Sequence, residues 1–235
     1  MGLYLFDFET TGVNPLVDRP VQIAAISVLP QNVFTVMNTL CHPRMPISEE
    51  ASKVHGITLN EVEFSPAYDT AVWQLLATIG DSASILGGYN VSMFDVPMLT
   101  HIIKPWFDFE VLDILDVVYR RRPLLPSKKL GDVYEALMGK KLEGAHGAIQ
   151  DCYGSLAVLD AICREDGVSY EDLAEEQKTS KPYSILPIGK YTGTPLDQIP
   201  CSWAFYMHKN AQSMRPDLKA TVDYVLEKNR DRRSP

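Results

Sequence analysis

The sequence predicts an α/β protein, a mixed sheet with helices on both faces, followed by a small C-terminal module. Three observations carry this expectation. Apolar runs of strand length come first, further strand-like runs then alternate with helical periodicity, and a polar, proline-bearing stretch precedes a short closing segment. Residues 3 to 9 read as a buried strand. Val21 to Val28 and Val33 to Met37 read as two more, joined through Pro30-Gln31-Asn32 into a meander. From Pro66 to about Ile79, Ala67, Ala71, Leu75 and Ile79 recur at every fourth position, which predicts a helix leading into a fourth strand over 85–89. Helices are expected over 96–103, 113–121, 129–138 and 147–165.

The main domain is expected to span 1–174, a linker 175–187 (EEQKTSKPYSILP), and the module 188–235. In that module Gly189 to Gly193 reads as a turn. Arg215-Pro216-Asp217 opens a short helix with Leu218, Val222, Val225 and Leu226 on one side.

With 235 residues, 46% of them hydrophobic, the chain can bury one sizeable core. The first residues lack a basic start followed by a long apolar run, and no stretch approaches bilayer-spanning length, so a soluble, cytoplasmic protein with no membrane partner is expected. Cys41, Cys152, Cys163 and Cys201 are scattered, as reduced structural thiols would be. The net charge of -8 speaks against a nucleic-acid partner unless some acids are metal ligands and the basic residues cluster. They do cluster, at Arg120-Arg121-Arg122, Lys128-Lys129 and Lys140-Lys141, although each run alone also suits a solvated face.

Four acids sit where a core would want something else. Asp7 continues the apolar run Leu3-Tyr4-Leu5-Phe6, and strand alternation puts Glu9 on the same face with Phe8 on the other. Two carboxylates held side by side repel unless a cation lies between them; otherwise the strand ends at Phe6 and both are exposed. Asp95 follows the fourth strand and precedes a helix, which suits a helix cap and also suits a ligand at the carboxyl edge of a sheet. Asp151 falls beside the inward stripe Ala148, Cys152, Ser155, Leu156, Leu159 and Cys163, whereas Asp160 points away from it. His146, flanked by Gly144 and Gly147, rides the loop into that helix, either as a surface residue or as part of a site.

One shared reason for four such acids is a pair of hard divalent cations. Only oxygen donors are on offer, which favours Mg²⁺, with Mn²⁺ as its substitute, over zinc. Two such ions, roughly 3.5 to 4 Å apart, clamp the attacking and leaving oxygens of a displacement at phosphorus, so phosphodiester hydrolysis is the expected reaction. Asp7 is expected to bridge the ions, Glu9 and Asp151 to hold the one beside the attacking water, and Asp95 the other. A neutral imidazole at His146 can act as general base.

At these residues the chain resembles the DEDDh family of 3′→5′ exonucleases, whose three motifs match DFET at 7–10, NVSMFD at 90–95 and HGAIQD at 146–151. A sister subfamily places a tyrosine base four positions before the last aspartate, where this chain has Gly147. The resemblance implies a ribonuclease H-like fold with a five-stranded mixed sheet, the last strand near Val111-Leu112-Asp113. It also implies the catalytic set Asp7, Glu9, Asp95, His146 and Asp151, with Thr10, His55, Asn90 and Phe94 around the 3′-terminal nucleotide. His55 also suits a plain turn and Phe94 plain core packing. The segment from Ile188 to Leu196 and the closing helices resemble the tail of a DNA-degrading member of the family. This implies DNA 3′ ends, single-stranded or duplex, as substrate; the tail itself suits either strand binding, through Lys190, Tyr191 or Trp203, or a packing cap. A 3′ exoribonuclease and a proofreading subunit of a DNA polymerase share the same acids.

Overall fold

The structure, a computed structural model, describes residues 2–29, 32–79, 85–103, 110–144, 146–210 and 214–231. Its contacts divide the chain into two units, Met1–Leu115 with Ser127–Ala174, and Asp116–Pro126 with Glu175–Pro235.

The first unit is built on a sheet of five strands: β1 (Leu3–Thr10), β2 (Pro20–Leu29), β3 (Asn32–Leu40), β4 (Ile85–Gly88) and β5 (Glu110–Asp113), in the order β3-β2-β1-β4-β5. β1, β2 and β3 are antiparallel neighbours, as expected of a meander; residues 30 and 31 of the turn between β2 and β3 lie outside the described residues. β4 and β5 pair parallel, and between β1 and β4 the chain passes through the helices α1 (Glu49–His55), α2 (Leu59–Val62) and α3 (Tyr68–Ile79). Helix α4 (Asp95–Ile103) precedes β5, and α5 (Ile114–Arg121), α6 (Leu130–Met138), α7 (Ala148–Asp166) and α8 (Tyr170–Gln177) follow it. Gly88 lets β4 close on β1, because a Cβ there would lie 2.6 Å from the Phe6 carbonyl oxygen.

Alternation along β1 sorts the two faces. Phe6 and Phe8, with Ile23 and Ala25 of β2, pack into one cluster with Leu75 and Ile79 of α3 and Met98 and Leu99 of α4. Fully burying each such side chain contributes about 1.5–3 kcal/mol. Leu3, Leu5, Asp7 and Glu9 point to the opposite face, which α7 covers: its Cys152 thiol lies 3.7 Å from the Leu5 carbonyl and 3.8 Å from that of Ala24.

The second unit has its own core of Tyr183, Leu186, Ile199, Ala204, Leu218, Val222 and Val225, drawn largely from α9 (Cys201–Asn210) and α10 (Pro216–Asp231), with Tyr119 of α5 packed against it. The stretch 175–187, expected as a linker, supplies Tyr183 and Leu186 to that core. It is also laddered to the turn that follows, with Gly193 donating to the Leu186 carbonyl at 2.8 Å and Leu186 to that of Thr194 at 2.9 Å. Two apolar residues in a polar, proline-bearing run were enough to fix it, and composition averages them away. The Gly189 to Gly193 turn holds a 3-10 segment over Gly189–Tyr191.

An ionic network lies inside this second unit. Arg120 pairs with Asp116 at 3.2 Å and with Asp217, Arg215 lies 3.9 Å from Asp116, and the Tyr183 hydroxyl donates to Asp116 at 2.6 Å. Residues 116–126 thereby belong with the C-terminal stretch and not with the sheet that precedes them in the chain.

Candidate active site

β1 continues past its pairing with β4, which stops at Leu5, and this overhang carries the acids. Asp7 and Glu9 emerge on the face covered by α7. The neighbour of Asp7 on β2 is Ala24, small enough to let α7 approach. The first turn of α7 is tied to the sheet by Gln22, paired with Glu9 across the strands, whose side-chain oxygen accepts from the Ala148 N–H at 3.4 Å while its amide donates to Asn38 at 3.0 Å. With Cys152 seated on the strands, Asp151 is delivered beside Asp7 and Glu9. One carboxylate oxygen from each of the three lies within 4.8 Å of the others.

Asp95 arrives from the other side of β1. It is 3% exposed, it opens α4, and its carboxylate accepts the Phe8 N–H at 3.1 Å, between the two acids of the strand. The turn before it is pinned by Asp113, 1% exposed at the end of β5, which accepts from the N–H groups of Asn90 and Ser92 at 3.1 Å each and of Leu115 at 3.0 Å. Asn90 holds a left-handed backbone (φ 64°), a conformation asparagine tolerates better than most residues.

Sequence reasoning missed Gln22 and Asp113 as positioning residues. A short apolar strand ending in aspartate was the available signal for Asp113; Gln22 had none beyond its place opposite Glu9.

The electrostatics follow from crowding in a dry place. Burial, then the charges of Asp95, Asp151 and Glu9, holds the Asp7 carboxyl well above the ordinary carboxylate range. Burial, then Asp151 and Asp95, lifts Glu9 to about 8. Burial lifts Asp95 to about 8 despite the Phe8 hydrogen bond, and burial raises Asp151 too, opposed by the nearby His146 ring and backbone N–H. Among the described residues no lysine or arginine pairs with any of the four. Such a cluster is costly when ionised without a cation, and its all-oxygen donor set fits a hard divalent ion.

His146 is exposed, at φ 69°, next to Asp151. Thr10 ends β1 with its hydroxyl turned to the Gly12 carbonyl at 2.7 Å, and its own carbonyl meets Nε2 of His55 at 3.1 Å. Nδ1 of His55 accepts the Ile57 N–H at 3.0 Å, so Nε2 carries the proton, and burial lowers the ring's pKa. Phe94 packs against the α3–α4 cluster. The five residues expected to carry the chemistry thus gather at one edge of the sheet, with Thr10 and His55 at the tip of β1 and Asn90 and Phe94 in the turn leading to Asp95. A concavity of about 550 Å³ lies instead at the other end of β1, between Leu3, Val28, Cys163 and Tyr170, and holds none of the four acids.

Comparison with known proteins agrees with this geometry. Residues 5–159 match the family described as Exonuclease. Over 96% of its length the chain is 23% identical to Exodeoxyribonuclease 10 of Escherichia coli K12, 99% of which is covered, and over 83% it is 30% identical to the DNA polymerase III subunit epsilon of Buchnera aphidicola, 92% of which is covered. Among solved structures, the zinc-bound E. coli ExoI–ssDNA complex superposes with a TM-score of 0.62 at 25% identity, over 73% of this chain and 42% of that one. Exonuclease X in complex with 5′-overhanging duplex DNA superposes with a TM-score of 0.59 at 23% identity, over 74% of this chain and 98% of that one. The chain belongs to the exonuclease family, and its five-stranded mixed sheet is the ribonuclease H-like fold expected from the three motifs. In class it is a 3′→5′ exonuclease, a phosphodiester hydrolase.

Proposed function

We propose that this chain is a divalent-metal-dependent 3′→5′ exodeoxyribonuclease that releases nucleoside 5′-monophosphates from DNA ends. The observation that carries the reading is the meeting of Asp7, Glu9 and Asp151 within 4.8 Å, with Asp95 buried alongside and, among the described residues, no lysine or arginine paired with them. Asp7 would bridge two Mg²⁺ ions, with Glu9 and Asp151 on one and Asp95 on the other. When bound, the pair supplies charge neutralisation for the attacking and leaving oxygens.

The rest is the work of the chain. His146, exposed to solvent, takes the proton of the attacking water on a ring nitrogen and passes it to bulk water. The water oxygen bonds to phosphorus, the P–O3′ bond breaks, and the freed 3′ oxygen is protonated from solvent. Thr10, His55, Asn90 and Phe94 surround the terminal nucleotide. With both ring nitrogens of His55 committed to backbone, that side chain offers its ring face and C–H edge. Asp113 and Gln22 hold Asp95 and Asp151 in place.

DNA as substrate is supported by the full-length similarity to Exodeoxyribonuclease 10. The 30% identity to a polymerase subunit favours a second reading, proofreading beside a polymerase. No helix among the described residues is long and apolar enough to cross a membrane, and four cysteines in no disulfide fit a reducing compartment such as the cytoplasm.

The test offers matched 5′-labelled DNA and RNA oligonucleotides to the wild type and to Asp151→Ala, with Mg²⁺, with Mn²⁺ or with chelator. A ladder of shortened DNA, lost with the chelator and in the variant, is expected. Internal cuts, or a ladder from RNA alone, would overturn the assignment; feeble trimming that a polymerase restores would favour the proofreading reading.

A further inference from the structure

On charge alone the first unit repels a nucleic-acid strand. It carries 9 Lys and Arg against 22 Asp and Glu, a formal charge of −13, which two divalent ions offset only in part. The second unit reverses the sign, with 13 Lys and Arg against 8 Asp and Glu, a formal charge of +5; together the two give the −8 of the whole chain. Of the two units, the second is therefore the one whose net charge attracts a polyanion, an attraction driven by release of the strand's counterions. The match to the exonuclease family ends at residue 159, before the C-terminal stretch of this unit begins.

The surface of that unit adds a second observation. Arg120, Arg121 and Arg215 are turned to Asp116, Asp217 and Glu176 within it, whereas Lys190, Lys209 and Lys219 are exposed. On α9, Phe205 is 58% and Tyr206 65% exposed, and the helical repeat places both rings and Lys209 within one arc of about 100°. On α10, Tyr224 is 41% exposed with the Lys228 ammonium 5.9 Å from its ring centroid, and the Lys190 ammonium lies 5.4 Å from that of Tyr191. Open aromatic rings beside lysines fit a flexible chain of stacked bases and phosphates, because every base offers a π-face whatever its sequence.

We propose that the second unit is a strand-binding module, holding single-stranded DNA on the rings of α9 and α10 and on Lys190, Lys209 and Lys219, while the first unit trims the 3′ end. This rests on the exonuclease reading. Being part of one chain, the module raises the local concentration of the strand at the catalytic unit without any contribution from the acids.

The experiment measures fluorescence anisotropy of a long 5′-labelled oligodeoxythymidylate bound to the full chain, in chelator so that nothing is cut, across a range of salt. A Lys190→Glu/Lys209→Glu/Lys219→Glu variant is expected to flatten the log–log salt slope by about 2, at ~0.7 per lost phosphate contact. A Phe205→Ala/Tyr206→Ala variant, exposed enough to leave folding intact, is expected to bind about tenfold more weakly at every salt concentration. In Mg²⁺, both variants should lower the ratio of long-strand to dinucleotide turnover. Wild-type affinity and slope in both variants would overturn the proposal. A wild type that binds the strand but cuts neither substrate would instead overturn the exonuclease reading beneath it.

Discussion

Each unit of the molecule buries a cluster of acids, and the two clusters are resolved in opposite ways. In the second unit Asp116 and Asp217 are met by Arg120 and Arg215, and the Tyr183 hydroxyl and the Lys181 N–H donate to them at 2.6 and 3.0 Å. Burial still lifts Asp116, to about 6, but its counter-charges come with the chain. In the first unit Asp7, Glu9, Asp95 and Asp151 meet no lysine or arginine among the described residues: burial raises all four, the charges of their neighbours in the cluster add to this for Asp7 and Glu9, and what opposes it is a few N–H groups and His146. The first arrangement is a closed structural network. The second gathers its acids with no lysine or arginine among the described residues to answer them, which makes acid clusters informative only when the bases around them are counted too.

The contrast is most sharply tested by neutralising one acid in each unit. Asp7→Asn should lower hydrolysis about a thousand-fold, the equivalent of ~4 kcal/mol of transition-state stabilisation, yet raise the melting temperature of the metal-free protein by relieving repulsion. Calorimetry in chelator reads the second half, and a fall in melting temperature there would contradict an uncompensated cluster. His146→Ala should reduce turnover about a hundred-fold while leaving binding of a DNA strand in chelator unchanged; a variant with wild-type turnover would remove His146 from the proton transfer. Asp217→Ala should destabilise the fold by about 3 kcal/mol, since Arg120 loses a buried partner, while leaving the thermal gain from added Mg²⁺ unchanged. Loss of that gain would show that the two clusters are not independent.

The contrast also carries a dependence on pH. Glu9 and Asp95 hold protons in the metal-free fold up to about 8, whereas an unfolded chain releases them near 4. Stability from these groups is present at low pH and lost as pH rises from about 4 to about 8. The melting temperature in chelator should fall across that window, and Mg²⁺ should restore most at its upper end; an unchanged value from about pH 4 to about pH 8 would show that the acids are more hydrated than their burial implies.

Much of this was legible in the residues. The meander, α3 and α7 announce themselves through apolar runs and fourfold spacing, and Asp7 is visible because it interrupts a run that a covered strand would continue. Asp95 was legible only as a candidate, since a helix cap explains it as well until its neighbours are known, whereas Asp151 was marked by its place beside the inward stripe of its helix. Helices α1, α2, α8 and α9 passed unread: α1 is capped by Ser48 but buries nothing, and α8 runs into the stretch expected as a linker. The extent of the second unit was hidden for a different reason. Arg120 and Asp217 are 97 positions apart, and a buried salt bridge leaves no periodic trace in either segment.

The interleaving of that second unit limits how the protein can be cut up. A gene shortened to stop at Ala174 would leave Arg120 without Asp217 and Tyr119 without the core it packs against, and a fragment starting at Glu175 would lack Asp116 and Tyr119. Neither half is a portable cassette. Transplanting the module onto another enzyme would require carrying both the helix segment from the middle of the chain and the tail, spliced into the host at two separate points.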